Sequence, residues 1–336
     1  MTLPRISIIV PSYNQGQYLE ETLTSVISQD YPNLELFVVD GGSTDNSVSV
    51  IKKHEKKIDW WVSEKDKGQS DAINKGFRKI SGEIVTWINS DDTLLPGALQ
   101  AVANHFTTLP VETGLIHGGT VLFNDKKEKE TRFTYISPCR ESYISGMVFS
   151  QPAAFLRSKY LLVTGLLDTH LNYGMDYDLF IRLALVCEFK PVNDVFSKYR
   201  LHEQSKSVSE SNRFINDWKK TFVNLCQNLS WTEELNLLRE TGLYQEEINF
   251  YEAFSFAPRE EIVAAINRQK AVCFHLGHVL KDLYWTYRVH EAKKLMQLME
   301  KKFPGEWFKE DPRLVTIMKK LRIPSLVLKF LRGIKK

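Results

Sequence analysis

The sequence predicts an α/β fold, a mainly parallel sheet flanked by helices, followed by an all-helical C-terminal extension. Three observations predict it. Short β-branched runs alternate with segments of helical periodicity over the first hundred residues. Polar and acidic clusters stand directly after four of those runs. From about residue 210 the pattern turns almost wholly helical and rich in Leu, Glu and Lys.

Each element has its own justification. "RISIIV" (5–10) is a continuous apolar run, the pattern of a strand buried on both faces. Leu19, Leu23, Val26 and Ile27 follow at helical spacing. "LELFVVD" (34–40) is a second buried strand, and "GGSTDNS" (41–47) supplies turn glycines and helix-capping side chains. "DWWVSE" (59–64) is a third strand, with Ala72, Ile73, Phe77 and Ile80 on the next helix. "EIVTWIN" (83–89) is a fourth, and Leu99, Val102 and Phe106 mark a helix starting near Pro96. After residue 114 the rhythm changes. "GLIHGGTVLF" and "KETRFTYI" read as paired strands about a charged turn, "QPAAFLR" (151–157) as a short strand and "MDYDLFIRLALVC" (175–187) as a helix. The polar stretch "EQSKSVSESN" sets the boundary between domains of residues 1–210 and 211–336.

Composition narrows the function classes. The 336 residues suffice for a catalytic domain with an appendage. Hydrophobic residues make up 43% and charged residues 25%, as in ordinary globular proteins, and the net charge of +3 is too near balance to argue by itself for a nucleic-acid partner, so none is expected. No run approaches the ~20 apolar residues of a spanning helix. The N-terminal apolar run breaks at Pro11 and reads as a strand rather than a signal peptide. Four scattered cysteines suit a reducing cytoplasm and outline neither a disulfide framework nor a zinc site.

In open α/β sheets, ligands bind beyond the carboxyl ends of the strands. "PSYN", "DGGSTD", "SEKDKG" and "NSDD" all fall there. The doublet Asp91–Asp92 offers hard oxygen ligands for a divalent cation, Mn²⁺ or Mg²⁺, that shares its shell with substrate phosphates. The same doublet equally suits capping of the helix near Pro96.

These motifs, in this order, resemble family-2 glycosyltransferases of the GT-A fold, including those of bacterial polysaccharide biosynthesis. The likeness runs from residue 5 to about 207, through "DKGQSDAINKG", "WINSDD", "QPAAFLR", "MDYDLFIRL" and "YRLHEQSKS". It implies that Pro11 and Tyr13 lie along a nucleotide base. It makes Asp40 the acid that accepts a hydrogen bond from uracil, where the residue alone also reads as a turn-former. Asp66, Gly68 and Asp71 match the segment beside the nucleoside and donor sugar, and Ser90 falls in the same donor-binding set. Asn89 replaces the first acid of the family's commoner Asp-x-Asp form; an amide still bonds ribose hydroxyls. Asp91 matches the metal-contacting acid, with Asp92 as an additional ligand, and His202 matches a histidine that closes the metal shell or touches the diphosphate. Asp176, at the entrance of a helix, matches the catalytic base, an N-cap being the plain alternative. Asp178 is the fallback base, although an i,i+4 pair with Arg182 would serve it structurally.

The resemblance implies a metal-dependent inverting glycosyltransferase, moving a hexose or N-acetylhexosamine from a nucleotide-sugar donor, expected to be UDP-linked, to a glycan or lipid-linked acceptor. Two rival readings are a non-catalytic sugar-nucleotide-binding relic and a sugar-1-phosphate nucleotidyltransferase. The second would open on a Gly-rich phosphate loop, which "PSYNQGQ" is not. The last stretch, 313–336, has no acid and carries Arg313, Lys319, Lys320, Arg322, Lys329, Arg332, Lys335 and Lys336. Leu326, Val327, Phe330, Leu331 and Ile334 recur among these at helical spacing after Pro324. Such a stripe suits either peripheral contact with the inner face of a membrane or packing on the protein's own helices.

Overall fold

Ile6–Ser12 form β1, buried at every position, and it sits centrally with β2 (Leu34–Asp40) and β4 (Ile84–Trp87) on either side. The computed structural model describes residues 3–124, 127–134, 136, 138–205 and 211–324. Outward of β2 lies β3 (Trp60–Ser63), and these four strands are parallel. The helices joining them are α1 (Gly16–Ile27), α2 (Ser47–His54) and α3 (Gln69–Phe77). Crossovers of this length return each strand in the same direction, so a buried parallel sheet follows from the alternating sequence. Leu19, Leu23 and Val26 of α1 pack with Ile6, Ile8 and Val10 in one core.

Beyond β4 the sheet becomes mixed, which corrects the mainly parallel expectation. β5 (Thr93–Leu94), α4 (Ala98–Thr108), β6 (Thr113–Asn124) and β7 (Lys127–Arg132) come first. After a segment containing α5 (Arg140–Tyr143) come β8 (Ala154–Arg157), α6 (Ser158–Thr164), α7 (Met175–Ala184) and β9 (Glu188–Arg200). The order across the nine-stranded sheet is β3-β2-β1-β4-β8-β6-β9-β5, with β7 pairing β6. β8 runs antiparallel to both β4 and β6, and β5 antiparallel to β9. The β6–β7 connection is too short for anything but an antiparallel hairpin.

Two compact units result. The first comprises 1–134, 149–209 and 255–258; the second comprises 135–148, 210–254 and 259–336. The segment 135–148 thus groups with the helical unit, although the sequence placed it in the first domain. Side-chain bonds account for this: Ser145 Oγ donates to Ala271 O at 2.8 Å, and His275 Nδ1 donates to Ser145 O at 2.9 Å.

The helical unit contains α8 (Ser211–Asn228), α9 (Thr232–Glu240), α10 (Glu260–Ala265), α11 (Arg268–Trp285), α12 (Val289–Lys302), α13 (Gly305–Lys309) and α14 (Pro312–Leu321). Within α11 every residue from Ala271 to Leu280 is buried, so it is the central helix of the unit. Asp311 caps α14 through Arg313 N and Leu314 N and pairs with Lys281 Nζ at 2.6 Å. Leu314, Ile317, Met318 and Leu321 are buried, so residues 313–321 pack on their own unit instead of presenting an apolar face to lipid. The apolar positions Leu326 to Ile334 lie outside the described residues. Among the described residues no helix is long and apolar enough to cross a membrane.

Candidate active site

The carboxyl ends of β1 and β2 are knitted together before any ligand is considered. Thr44 N donates to Asn14 Oδ1 at 2.8 Å, and Asn14 N donates to Ser43 Oγ at 2.8 Å. Asp45 accepts from Gly16 N at 2.9 Å and from Ser47 N at 2.9 Å, joining the starts of α1 and α2. Burial would raise the Asp45 carboxyl, but the Ser47 and Gly16 donors outweigh it and hold it below the usual range. Pro11 is a buried residue of β1, opposite Val39, and not part of the loop. Tyr13 is 60% exposed and presents an aromatic face beside this joint.

Asp40, which the resemblance sets against the base, holds the loop at the end of β2. It is fully buried. Oδ2 accepts from Gly42 N at 3.1 Å, Ser43 N at 2.9 Å and Ser63 Oγ at 2.7 Å, while Oδ1 accepts from Ser43 Oγ. Both oxygens are spent on the loop, so Asp40 is the turn-former and fixes β2 to β3 at their ends. Asp66 lies against Gly41, where a Cβ would stand 2.4 Å from Oδ2; no larger residue fits there. Asp66 Oδ1 also accepts from Gly68 N at 2.8 Å, and Asp71 accepts from Lys67 N at 3.2 Å. Gly68 precedes α3 at φ +113°, a conformation open to glycine alone at little cost. Asp66 and Asp71 thereby shape the entrance to α3.

The "NSDD" turn is held from three sides. Thr22 Oγ1 donates to Ser90 O at 2.9 Å and Asp92 O at 2.8 Å. Arg200 N donates to Asp92 Oδ1 at 3.0 Å, and Arg200 Nε donates to Asp91 O at 3.1 Å. Gln69 Nε2 donates to Asn89 Oδ1 at 2.7 Å. Asp92 is completely buried, and burial together with the neighbouring Asp91 charge pushes its carboxyl well up. It braces β9 and is not placed as a metal ligand. Neither acid caps the following helix: β5 intervenes, and α4 begins after Gly97 without a side-chain cap.

Asp91 is the acid the turn leaves partly open. Its Oδ2 stands 2.9 Å from His202 Nε2, with side chains 19% and 8% exposed. His202 sits on Tyr18, ring centroids 4.7 Å apart, and Arg200 lies over the other neighbours of that ring system, 4.8 Å from Tyr18 and 4.4 Å from Phe123. Arg200 also pairs with Glu21. Ser205 Oγ accepts from His202 N at 3.3 Å; Ser207 lies outside the described residues. Adjacent ligands of an octahedral cation with ~2.1 Å bonds stand about 3 Å apart. The Asp91–His202 separation matches that spacing, so the pair fits two neighbouring positions of a Mg²⁺ or Mn²⁺ shell. Among the described residues no group of three or more His, Cys, Asp or Glu could hold a metal ion. Two protein ligands, with water and phosphate completing the shell, is the usual habit of Mg²⁺.

The start of α7 comes to the same place through α3. Ser70 Oγ contacts Leu171 O at 3.4 Å and Met175 Sδ at 2.7 Å, while its neighbour Gln69 holds Asn89. Asn74, buried, exchanges both amide bonds with Leu167, at 2.8 and 3.0 Å. One helix end therefore carries the metal-loop contact and the α7 contact on consecutive residues. A small depression of about 10 Å³ lies here, lined by Lys67, Gly68, Gln69, Thr169, Asn172 and Met175 among others.

At that helix entrance Asp176 is half-buried, its Oδ1 accepting from Tyr177 N at 2.8 Å. Asp178 is buried and bonded to Arg182 Nε at 3.0 Å and Nη2 at 2.7 Å. Arg182 goes on to hold Thr164 O at 2.6 Å and Leu166 O at 2.8 Å. Burial raises the Asp178 carboxyl in spite of Arg182. The Arg182 pair suits Asp178 to a structural role, while Asp176, less buried at the helix entrance, is the candidate base. Sequence reasoning passed over Gln69, Asn74 and Tyr18. Their roles rest on contacts up to 184 positions away in the chain, as with Tyr18 and His202, and have no local signature.

Residues 7–161 match the family described as Glycosyl transferase family 2. An uncharacterized glycosyltransferase of Rickettsia typhi is 23% identical over 298 residues, covering 85% of this chain and 92% of that protein. The chondroitin synthase of Escherichia coli is 24% identical over 217 residues, 62% of this chain and 30% of the synthase. Among solved structures, S. aureus TarS 1–349 in complex with UDP-GlcNAc has a TM-score of 0.58 at 16% identity, covering 98% of this chain and 87% of that one. Residues 7–161 thus match glycosyltransferase family 2, the chain has the GT-A fold, and together with the glycosyltransferase relatives this supports transferase activity.

Proposed function

We propose that the protein transfers a hexose or N-acetylhexosamine, with inversion, from a UDP-linked donor to a hydroxyl of a glycan or lipid-linked saccharide in cell-surface polysaccharide synthesis. The observation that carries this is the entrance of α3, where Gln69 bonds Asn89 of the Asp91 turn and Ser70 bonds Met175, the neighbour of Asp176, so one helix end joins the two acidic segments. The acceptor oxygen attacks the anomeric carbon as the bond to the diphosphate oxygen breaks, and Asp176 receives the hydroxyl proton. No covalent intermediate forms, and the anomeric configuration inverts. Asp91 and His202 would hold Mn²⁺ or Mg²⁺, which when bound offsets charge on the departing diphosphate. Tyr13 offers its exposed ring to the base. The TarS complex with UDP-GlcNAc and the relationship to a chondroitin synthase favour a uridine donor and a polysaccharide product. Four free thiols suit a reducing compartment, so the reaction is assigned to the cytoplasmic side.

The test presents full-length protein with a panel of nucleotide sugars and Mn²⁺, then adds candidate acceptors. Release of UDP with a product of opposite anomeric configuration by NMR is expected. Pyrophosphate release from UTP would make it a nucleotidyltransferase instead. Tight donor binding without turnover across all acceptors would make it a binding protein.

A further inference from the structure

His202 lacks the support that a metal-binding imidazole ordinarily has. Such a histidine donates its second ring nitrogen to a carboxylate, a carbonyl or water, which fixes the direction of the ring. In this chain Nε2 faces Asp91 Oδ2 at 2.9 Å, while Nδ1 is buried and meets no hydrogen-bond partner among the described residues. Either tautomer leaves it so. Main-chain bonds anchor the residue without fixing its ring: His202 N donates to Ser205 Oγ at 3.3 Å, and Ser205 N donates to His202 O at 3.0 Å.

What does meet the ring is Tyr18. The two centroids are 4.7 Å apart, with the ring planes inclined at 39°. Tyr18 stands in the first turn of α1, where its backbone N donates to Gln15 O at 2.9 Å. The buried Arg200 places its guanidinium 4.8 Å from the Tyr18 ring and also bonds Asp91 O and Glu21. One arginine thus touches both the turn that carries Asp91 and the ring on which His202 rests. In the metal-free chain the Asp91–His202 bond also orients the imidazole. A cation that takes both atoms as ligands ends that bond. The contact with Tyr18 does not depend on it.

We propose that Tyr18 is a positioning residue for the metal shell: its ring holds the His202 imidazole with Nε2 towards Asp91, in place of the usual hydrogen bond to Nδ1. This rests on the reading of Asp91 and His202 as ligands and adds the device that holds one of them. The test uses full-length wild type, Tyr18→Phe, Tyr18→Leu, Tyr18→Met and His202→Ala. In metal-free protein labelled with ¹⁵N at histidine, the His202 ring resonances are identified by their absence from His202→Ala. They are expected to keep their shifts in Tyr18→Phe and to move in Tyr18→Leu and Tyr18→Met, which fill space without a flat ring. Calorimetric Mn²⁺ titration with UDP present is expected to give wild-type affinity for Tyr18→Phe. For the other two a loss of about 10- to 100-fold is expected, the range for groups that orient metal ligands. UDP affinity in EDTA is expected to be unchanged in all three. The proposal is overturned if Tyr18→Leu and Tyr18→Met bind Mn²⁺ like wild type while His202→Ala does not. It is overturned too if Tyr18→Phe loses affinity as they do, which would assign the effect to the hydroxyl, or if UDP affinity in EDTA falls in step, the mark of a packing role. Unaltered Mn²⁺ affinity in His202→Ala instead removes the ligand reading and the positioning role with it, so the two failures are told apart.

Discussion

Exchanging Asp176 for Asn replaces a carboxylate at the entrance of α7 with a neutral amide of the same shape. The asparagine oxygen can still accept from Tyr177 N, which now bonds Asp176 Oδ1 at 2.8 Å. Losing a negative charge in the first turn of α7 costs about 0.3–1 kcal/mol of favourable interaction with the helix dipole. General base catalysis is worth roughly 10²–10⁴ in rate, or about 3–5 kcal/mol of barrier. Asp178→Asn, two residues on, acts in the opposite sense. Its carboxylate is 9% exposed and makes two bonds to Arg182, at 3.0 and 2.7 Å. Taking one partner from a buried pair costs about 3–5 kcal/mol; the amide oxygen and the Thr164 and Leu166 carbonyls on Arg182 bring this nearer to about 2–4. Asp176→Asn should therefore melt within a degree or two of wild type and turn over at least a hundredfold more slowly. Asp178→Asn should melt well below wild type but, below its transition, retain most of its turnover. The assay is initial-rate UDP release beside thermal melts on the same preparations. An inactive Asp178→Asn of normal Tm, alongside an active Asp176→Asn, refutes the division of roles.

Asp91→Ala and His202→Ala should each abolish stimulation by Mn²⁺ with little change in Tm, read by calorimetric Mn²⁺ titration with UDP; unaltered Mn²⁺ affinity in both variants would remove the pair from the metal site. Asp40→Asn should lower Tm by disturbing the loop bonds to Ser43 and Ser63, whereas Tyr13→Ala should weaken UDP binding at constant Tm; the reverse pattern in calorimetry and melts would return Asp40 to the base. Acid should destabilise the helical unit: burial holds His275 down at about 3 and His278 well below its ordinary value. The unfolded chain takes up those protons near 6.5 and the folded one does not, so stability falls as pH drops from about 6.5 towards 3, by up to about 1.4 kcal/mol per pH unit for each group. Urea midpoints that stay level from pH 7 to pH 5 would contradict this.

β1, β2 and β4 were legible because a strand buried on both faces must be a continuous apolar run, and Ile6, Ile8, Val38 and Val85 announce it. The strand-end motifs were legible as a set. Whether each acid turns outward was not. Asp92 turns inward because Arg200 N, 108 positions later, offers it a bond, and Asp40 because Ser63 does. The same limit explains β5, a two-residue strand that exists only as the partner of Ser197 and Lys198. Segment 135–148 likewise joins the helical unit through Ser145 and α11, which nothing in its own residues indicates.

These bonded acids bear on how the site is built. Asp40, Asp45, Asp66 and Asp92 accept bonds from backbone or hydroxyl donors within the strand-end loops or, for Asp92, from β9. Each such bond fixes a loop during folding, so ordering is complete before a donor binds, and the binding energy is not consumed in organising the turns. The bracing also decides which groups remain open. With Thr22 on Ser90 and Asp92, Gln69 on Asn89 and Arg200 on the Asp91 carbonyl, the Asp91 carboxylate is left facing His202. With Arg182 on Asp178, the carboxylate left at the entrance of α7 is that of Asp176. Of the acids at these strand ends and helix entrances, Asp40, Asp45, Asp66, Asp92 and Asp178 are thus bonded to the scaffold that holds Asp91 and Asp176 in place.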